Sequence, residues 1–98
     1  MTKVRFHRSA QAEFDRSYAW YEERNPMAAV RFLDEVLDKT RRIAEAPERW
    51  PVVRGRTRAL ALDRFPFTLV YRHRPSEDLV WIVAVAHQRR RPGYWHGR

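Results

Sequence analysis

The chain has 98 residues, enough for one domain with a single core, and 44% of them are hydrophobic. It contains no cysteine, which excludes a disulfide framework and a thiolate metal site. No stretch approaches the roughly 18 to 20 apolar residues of a membrane span, and charges at Lys3, Arg5 and Arg8 interrupt any signal-peptide pattern. We therefore expect a cytoplasmic protein that does not bind membranes.

The net charge of +8 is concentrated in the second half of the chain. Residues 1–49 carry ten Lys/Arg and nine Asp/Glu, whereas residues 50–98 carry ten arginines and three acids. The planar guanidinium group suits phosphate and carboxylate recognition better than an ammonium group does. This asymmetry predicts a polyanionic partner, either RNA or an acidic protein segment, with general solubility as the alternative.

The first third of the chain predicts a strand and then a helix. Residues 3–7 alternate between polar and apolar, which is typical of a short strand. Ser9 is then expected to cap a helix over residues 10–23. Ala10, Phe14, Tyr18 and Tyr21 recur along that helix at helical spacing. Asn25-Pro26 should end it, because the residue before a proline avoids the helical region.

The clearest helical periodicity begins at Pro26 and ends before Pro47. One face is apolar and should pack on the rest of the domain, and Lys39 falls on the opposite, charged face. The apolar face comprises Ala29, Phe32, Leu33, Val36, Leu37, Thr40, Ile43 and Ala44. The two helices and their tight turn form a helical hairpin.

Three strands are predicted in the second half, after a loop over residues 50–56. Residues 57–62 alternate as a strand, and the apolar runs at 64–72 and 79–87 flank a turn and form a β-hairpin. The order β-α-α-β-β-β predicts an α+β fold of two layers. In it, the helical hairpin packs on a mostly antiparallel, twisted, four-stranded sheet. A single domain would cover residues 1–98, and residues 89–98, the basic tail, are expected to be partly mobile.

Several short blocks, spread over nearly the whole chain, form a recognisable pattern. They are Trp20-Tyr21, Ala29, Phe32, Pro47, Trp50, Arg58, Arg64-Phe65-Pro66-Phe67, Tyr71-Arg72, and His87-x-x-Arg90-x-Pro92 with Tyr94-Trp95. Together they resemble the RelE/ParE superfamily of type II toxin–antitoxin toxins, and the later blocks resemble its ParE-like, plasmid-stabilisation branch. The position between Arg90 and Pro92 is usually acidic or polar in that branch, whereas here it is Arg91.

The resemblance implies a small toxic protein made together with an antitoxin, whose acidic and partly disordered C-terminal segment wraps and neutralises it. ParE-like members inhibit DNA gyrase and need no catalytic residues. RelE-like members cut mRNA in the ribosomal A site. A member that has lost toxicity and only binds an antitoxin is a third possibility.

The residues themselves favour binding over catalysis. Cleaving RNA through its 2′-hydroxyl needs a general base, a general acid and cations, and arginine supplies only the last of these. The two lysines, Lys3 and Lys39, are poorly placed for a role in RNA cleavage. No carboxylate is evidently positioned to orient His87. We therefore predict no catalytic residue, and the ParE-like resemblance then implies a protein target such as DNA gyrase. If the chain is instead a ribosome-dependent mRNA endonuclease, its catalytic set would be His87, Arg90 and Tyr94.

The predicted antitoxin-binding or target-binding residues combine arginines with a histidine and aromatic side chains, which suits contacts to peptides and nucleic acids. They are Arg58, Arg72, His87, Arg89, Arg90, Arg91, Tyr94 and Trp95. The other histidines lack ligand spacing to any Asp, Glu or Cys cluster, so we predict neither a metal nor a cofactor.

Overall fold

The computed structural model describes residues 2–98, which form a sheet with two helices on one face. In chain order the elements are β1 (Lys3–Phe6), α1 (Arg8–Arg24), α2 (Pro26–Glu45), β2 (Val52–Arg54), β3 (Thr57–Ala61), β4 (Phe67–Arg74) and β5 (Leu79–His87). A 3-10 turn at Pro75–Glu77 joins β4 to β5. The predicted α+β architecture of a helical hairpin on a sheet is confirmed.

The sheet has five strands rather than the predicted four, in the order β1-β5-β4-β3-β2. β1 runs parallel to β5, and the other three pairings are antiparallel. The additional strand, β2, lies where a loop was predicted. Val52 and Arg54 pair with the start of β3, and the left-handed backbone of Gly55, with φ 54°, allows the tight turn between them. β5 is an inner strand, as predicted.

Both helices begin with a side-chain cap. α1 starts before the predicted residue 10, and its cap is His7 rather than Ser9, because the His7 Nδ1 atom accepts a hydrogen bond of 3.0 Å from the Ser9 amide. The Asn25 side chain caps α2 by accepting from the amides of Met27 and Ala28. Pro26 occupies the first helical position, where its missing N–H is not needed. Asn25 therefore separates the two helices.

The main core lies between the helices and the sheet. Phe32 is fully buried there, among Phe14, Phe65 and Phe67. The apolar stripe of α2 is narrower than predicted, because Leu37 is 56% exposed and Leu33 is only half-buried. Lys39 was placed on the outer face but is only 8% exposed. It lies next to the stripe, and its Nζ forms an ion pair of 2.8 Å with Asp63 in the loop after β3.

A second, smaller apolar cluster lies on the face of the sheet opposite the helices, called the open face below. Trp95 is buried against Val70, Ala84 and Ala86 of β4 and β5, and Tyr94 packs beside it. The basic tail therefore folds back over part of this face. Within residues 2–98, no helix combines the length and apolarity that crossing a membrane requires.

Candidate binding site around the basic tail

The edge of β5 is left without a strand neighbour beyond Ile82, where its pairing with β1 ends. Two side chains bond there to the main chain of β5. Glu13 on α1 accepts from the Val85 amide at 3.0 Å, and the Arg98 Nη1 atom donates to the Val83 carbonyl at 3.1 Å. Unpaired edge groups would otherwise be open to another strand. Glu13 and Arg98 thus close this edge from opposite ends of the sequence.

Glu13 joins α1, β5 and the basic tail in one hydrogen-bonded cluster. The residue is only 5% exposed. The Tyr94 hydroxyl donates to its Oε2 atom at 2.6 Å, and the Arg98 guanidinium binds both carboxylate oxygens, at 2.9 and 3.1 Å. Arg90 Nη1 lies 3.6 Å from Oε2. Such a two-pronged arginine–carboxylate contact fixes geometry as well as charge.

The cluster shifts the pKa values of the Glu13 carboxyl and the Tyr94 hydroxyl in opposite directions. Burial alone would raise the pKa of Glu13, but hydrogen bonds from Arg98, Tyr94 and Val85 outweigh burial and lower it. Burial raises the pKa of Tyr94, and its hydrogen bond to Glu13 raises it further. At neutral pH, Glu13 is therefore charged and Tyr94 keeps its proton.

Arg90 covers the exposed side of this cluster. Its guanidinium carbon lies 3.8 Å from the centroid of the Tyr94 ring, a cation–π arrangement, and its side chain remains 49% exposed. Arg89 and Arg91 are exposed on either side of it. The His87 Nδ1 atom accepts from the Arg89 amide at 3.1 Å, and its ring meets Phe67 edge-on. His87 thus supports the turn that presents the three arginines.

These groups surround a cleft of about 180 Å³, called the tail cleft below. Its lining residues come from α1, β4, β5 and the tail, and they are Glu13, Arg16, Ser17, Phe67, Val85, His87, Arg90 and Tyr94. Three of the predicted site residues, His87, Arg90 and Tyr94, therefore meet in one place. Trp95 lies behind them in the second apolar cluster.

The two strand arginines that sequence analysis grouped with the tail lie on different faces. Arg58 is on the helix side, where its Nη1 donates to the carbonyls of Glu48 and Trp50, at 3.0 and 2.7 Å. Arg72 is on the open face, where it donates to the Thr57 hydroxyl and the Arg98 main-chain oxygen, at 3.0 and 2.6 Å. Arg72 thus adjoins the end of the tail, while Arg58 holds the loop after α2.

Sequence reasoning missed Glu13, which is the only carboxylate among residues 2–98 that lines the tail cleft. The signal was present, because Glu13 lies three residues after Ala10 and four before Ser17, on the same helix face as Phe14. A lone acid among apolar positions of an amphipathic helix requires a partner. The sequence around Arg98 contains no comparable pattern that would identify Arg98 as the partner of Glu13.

The arrangement is equipped to bind anions. The exposed guanidinium groups of the tail present hydrogen-bond donors and positive charge to a ligand. The Glu13 carboxylate fixes Tyr94, on whose ring Arg90 stacks. Within residues 2–98, no group of three or more His, Asp or Glu residues is placed to hold a metal ion.

Comparisons with known proteins agree with one family. A family model described as "ParE toxin of type II toxin-antitoxin system, parDE" matches residues 4–92. Among solved structures, a chain titled "Chromosomal ParDE TA system from P. aeruginosa" is similar, with a TM-score of 0.74 and 20% sequence identity. The match covers 89% of this chain and 96% of that one, and at this identity it supports the fold. A search of curated proteins finds no match to this chain.

Proposed function

We propose that this chain, which belongs to the ParE toxin family of type II toxin–antitoxin systems, inhibits growth by binding a protein target such as DNA gyrase. The predicted resemblance to that family is confirmed by the match over residues 4–92. Membership implies an antitoxin as a partner. We propose further that the antitoxin is acidic and neutralises the toxin in the cytoplasm.

The state of Tyr94 carries the preference for binding over cleavage. In the alternative function, an mRNA endonuclease, His87, Arg90 and Tyr94 would share the acid–base work. The Tyr94 hydroxyl, however, already donates a hydrogen bond to Glu13, and both burial and that bond raise the pKa of Tyr94. Arginine cannot exchange protons near neutral pH. His87 alone does not provide the acid–base pair that this reaction needs.

The surroundings of the tail support a partner that is acidic and partly apolar. Beside the tail cleft, the open face carries a groove of about 300 Å³ with Val53, Ala59, Val70 and Ala86 in its floor. Arginines 90 and 91 line its rim. An acidic segment with small apolar side chains matches both features. Contacts of Arg58 and Arg72 with partner carboxylates remain a prediction, since each arginine also bonds within the chain.

Induced expression in bacteria, with two readouts, tests the proposed function. Plasmid supercoiling and the DNA-damage response report on gyrase, and mRNA fragments mapped on ribosomes report on cleavage. We expect supercoiling to be lost, mRNA to stay intact, and His87→Ala to have a mild effect. If His87 is a general base, His87→Ala should instead reduce cleavage by roughly 100- to 10,000-fold. Ordered A-site cuts that vanish in this variant would establish the nuclease function.

A further inference from the structure

A second basic surface lies on the open face, at the end of β5 away from the tail cleft. In the sheet register, Arg5 of β1 and Arg72 of β4 both pair with Trp81 of β5, while Lys3 and Arg74 both pair with Leu79. Paired residues in neighbouring strands place their side chains on the same face. Val80 and Ile82, on either side of Trp81, belong to the helix-facing core. These side chains therefore share the opposite face.

We call Lys3, Arg5, Arg72, Arg74 and Trp81 the Trp81 platform. Neighbouring strands are about 5 Å apart, and alternate residues along a strand are about 7 Å apart. Four cationic residues thus occupy strand positions beside Trp81 and Leu79, although the Arg72 guanidinium is directed to Thr57 and the Arg98 main chain and not to the ring. The Arg74 guanidinium carbon is 5.7 Å from the Trp81 ring centroid, and Trp81 is half-buried.

Few acidic groups neutralise the positive charge of this platform. Arg74 has a partly exposed ion pair with Glu77, at 3.7 Å, and Arg72 donates to Thr57 and to the Arg98 main chain. Lys3 and Arg5 are exposed, and neither forms an ion pair with another residue of the described chain, 2–98. On the α1 side, Arg8 and Asp15 line a cleft together with Arg5 and Trp81, and their opposite charges offset each other. The net charge of the platform is therefore positive.

The Trp81 platform is separate from the tail cleft. Trp81 and His87 are six residues apart along one strand, or roughly 20 Å. Trp95 covers part of the face between them, on Val70 and Ala84. Arg72 joins the two surfaces, because it bonds to the main chain of Arg98 and is also a predicted contact for partner carboxylates. The other platform residues, Lys3, Arg5, Arg74 and Trp81, are not among the predicted contacts of the toxin target or the antitoxin.

We propose that the Trp81 platform binds single-stranded nucleic acid, with Trp81 stacking on an unpaired base while the surrounding cations contact phosphates. Aromatic rings flanked by cations bind single strands in this way without needing a particular sequence. A duplex fits less well, because the flat face projects no helix or strand ribbon into a groove. An acidic peptide would find the half-buried Trp81 as its main large apolar contact on this platform. At this end of the sheet, β4 and β5 are inner strands whose main chains already pair on both sides.

The test uses the full 98-residue chain and fluorescein-labelled 12-nucleotide single strands of thymidine or uridine, followed by fluorescence anisotropy at rising salt. Replacing the ring by Trp81→Leu, which keeps an apolar side chain, should weaken binding roughly 5- to 150-fold, while Trp81→Phe should retain most of it. The double change Lys3→Ala and Arg5→Ala should lower the slope of log affinity against log salt by roughly 0.7 per lost phosphate contact.

Two matched controls separate the platform from general basicity. Arg31→Ala on α2 removes an exposed cation elsewhere, and Trp20→Ala on α1 removes a tryptophan that is 52% exposed. Both should bind the strands as the unchanged chain does, and thermal melting of Trp81→Leu checks that the fold is retained. Arg90→Ala should also leave strand binding intact, which keeps this test independent of the proposed function.

Several results would overturn the inference. They are no binding of either strand at low salt, equal weakening in Arg31→Ala, undiminished binding in folded Trp81→Leu, and tighter binding of a duplex of the same length. Polyglutamate that binds more tightly than the strands, and loses affinity in Trp81→Leu, would assign the platform to an acidic protein partner instead.

Discussion

Among single residues, Glu13 has the widest range of contacts in the tail cleft. One carboxylate accepts from a main-chain amide of β5, from the Tyr94 hydroxyl and from both terminal nitrogens of Arg98. In a buried position, losing the acceptor leaves all of these donors unpaired, which costs far more than the net contribution of one hydrogen bond. The position of Tyr94, and with it the stacking of Arg90, depends on this carboxylate.

The lowered pKa of Glu13 predicts how stability depends on pH. The folded state releases the Glu13 proton more readily than the unfolded chain, whose ordinary pKa is near 4.5. Its contribution is therefore fully present above about pH 4.5 and is lost as the pH falls through the folded pKa. At pH 7, Glu13→Gln should lower the free energy of unfolding by about 3 kcal/mol, and this difference should shrink below pH 4.5.

Urea denaturation of both proteins from pH 3 to pH 8 measures that difference. The exposed Glu23→Gln on the same helix serves as the control and should change stability by less than about 0.5 kcal/mol. A difference between Glu13→Gln and the unchanged chain that stays constant over the whole pH range would contradict the assigned role of the Glu13 charge.

Arg90 is the best single probe of antitoxin binding, because it is half exposed and does not hold a loop as Arg58 does. If a partner carboxylate buries it on binding, Arg90→Ala should weaken the complex by about 2 to 5 kcal/mol. Calorimetric titration with the cognate antitoxin at moderate salt gives the value. Arg31→Ala, on α2, should bind normally, and unchanged affinity of Arg90→Ala would remove Arg90 from the interface.

Among the elements, α2 contributes to stability mainly through the packing of its apolar stripe on the sheet. Phe32 is fully buried, and its ring centroid lies within 5.1 to 5.4 Å of those of Phe14, Tyr21, Phe65 and Phe67. Phe32→Ala should therefore cost about 3 to 5 kcal/mol, a large share of the roughly 5 to 15 kcal/mol that stabilise a typical domain.

Leu37→Ala, on the same helix, is the matched control for Phe32→Ala. The sequence pattern assigns Leu37 to the core, whereas the structure leaves it 56% exposed, so its truncation should change stability little. Chemical denaturation midpoints compare the two variants. If Leu37→Ala costs as much as Phe32→Ala, the assignment of the faces of α2 is wrong.

The elements also show which parts of the fold the sequence specifies locally. The helices and the hairpin of β4 and β5 follow from periodicity and from Asn25-Pro26, which are properties of neighbouring residues. β2 could not be predicted in this way, because three residues beside Pro51 carry too little pattern and become a strand only by pairing with β3. The same holds for the tail cleft, where His87, Arg90 and Tyr94 are close in sequence but their support comes from Glu13, far away on α1.

For the whole molecule, six of the ten arginines of residues 50–98 lie on two surfaces, the tail and the Trp81 platform. The arginines of the tail lie at one end of β5 and those of the Trp81 platform at the other, where residues of β1 join them. Positive surfaces of this kind raise the association rate of acidic partners, and salt screens the effect.

The association rate constant with the antitoxin should therefore fall by at least about tenfold between roughly 20 mM and 500 mM salt. Stopped-flow fluorescence measures this rate. Replacing both Arg89 and Arg91 by alanine should flatten the salt dependence and change the dissociation rate less. An association rate that does not respond to salt would show that charge does not guide the encounter.

The closed edge of β5 also has a consequence for how such chains diverge. Positions 13 and 98 are 85 residues apart, yet their side chains together satisfy the main chain of Val83 and Val85. A mutation of either residue leaves the charge of the other without its partner. We therefore expect substitutions at positions 13 and 98 to occur together in related sequences. In a homologue whose β1 continues past the equivalent of Phe6, β1 would itself pair with this part of β5. Only in such a homologue should the residues at both positions vary without constraint.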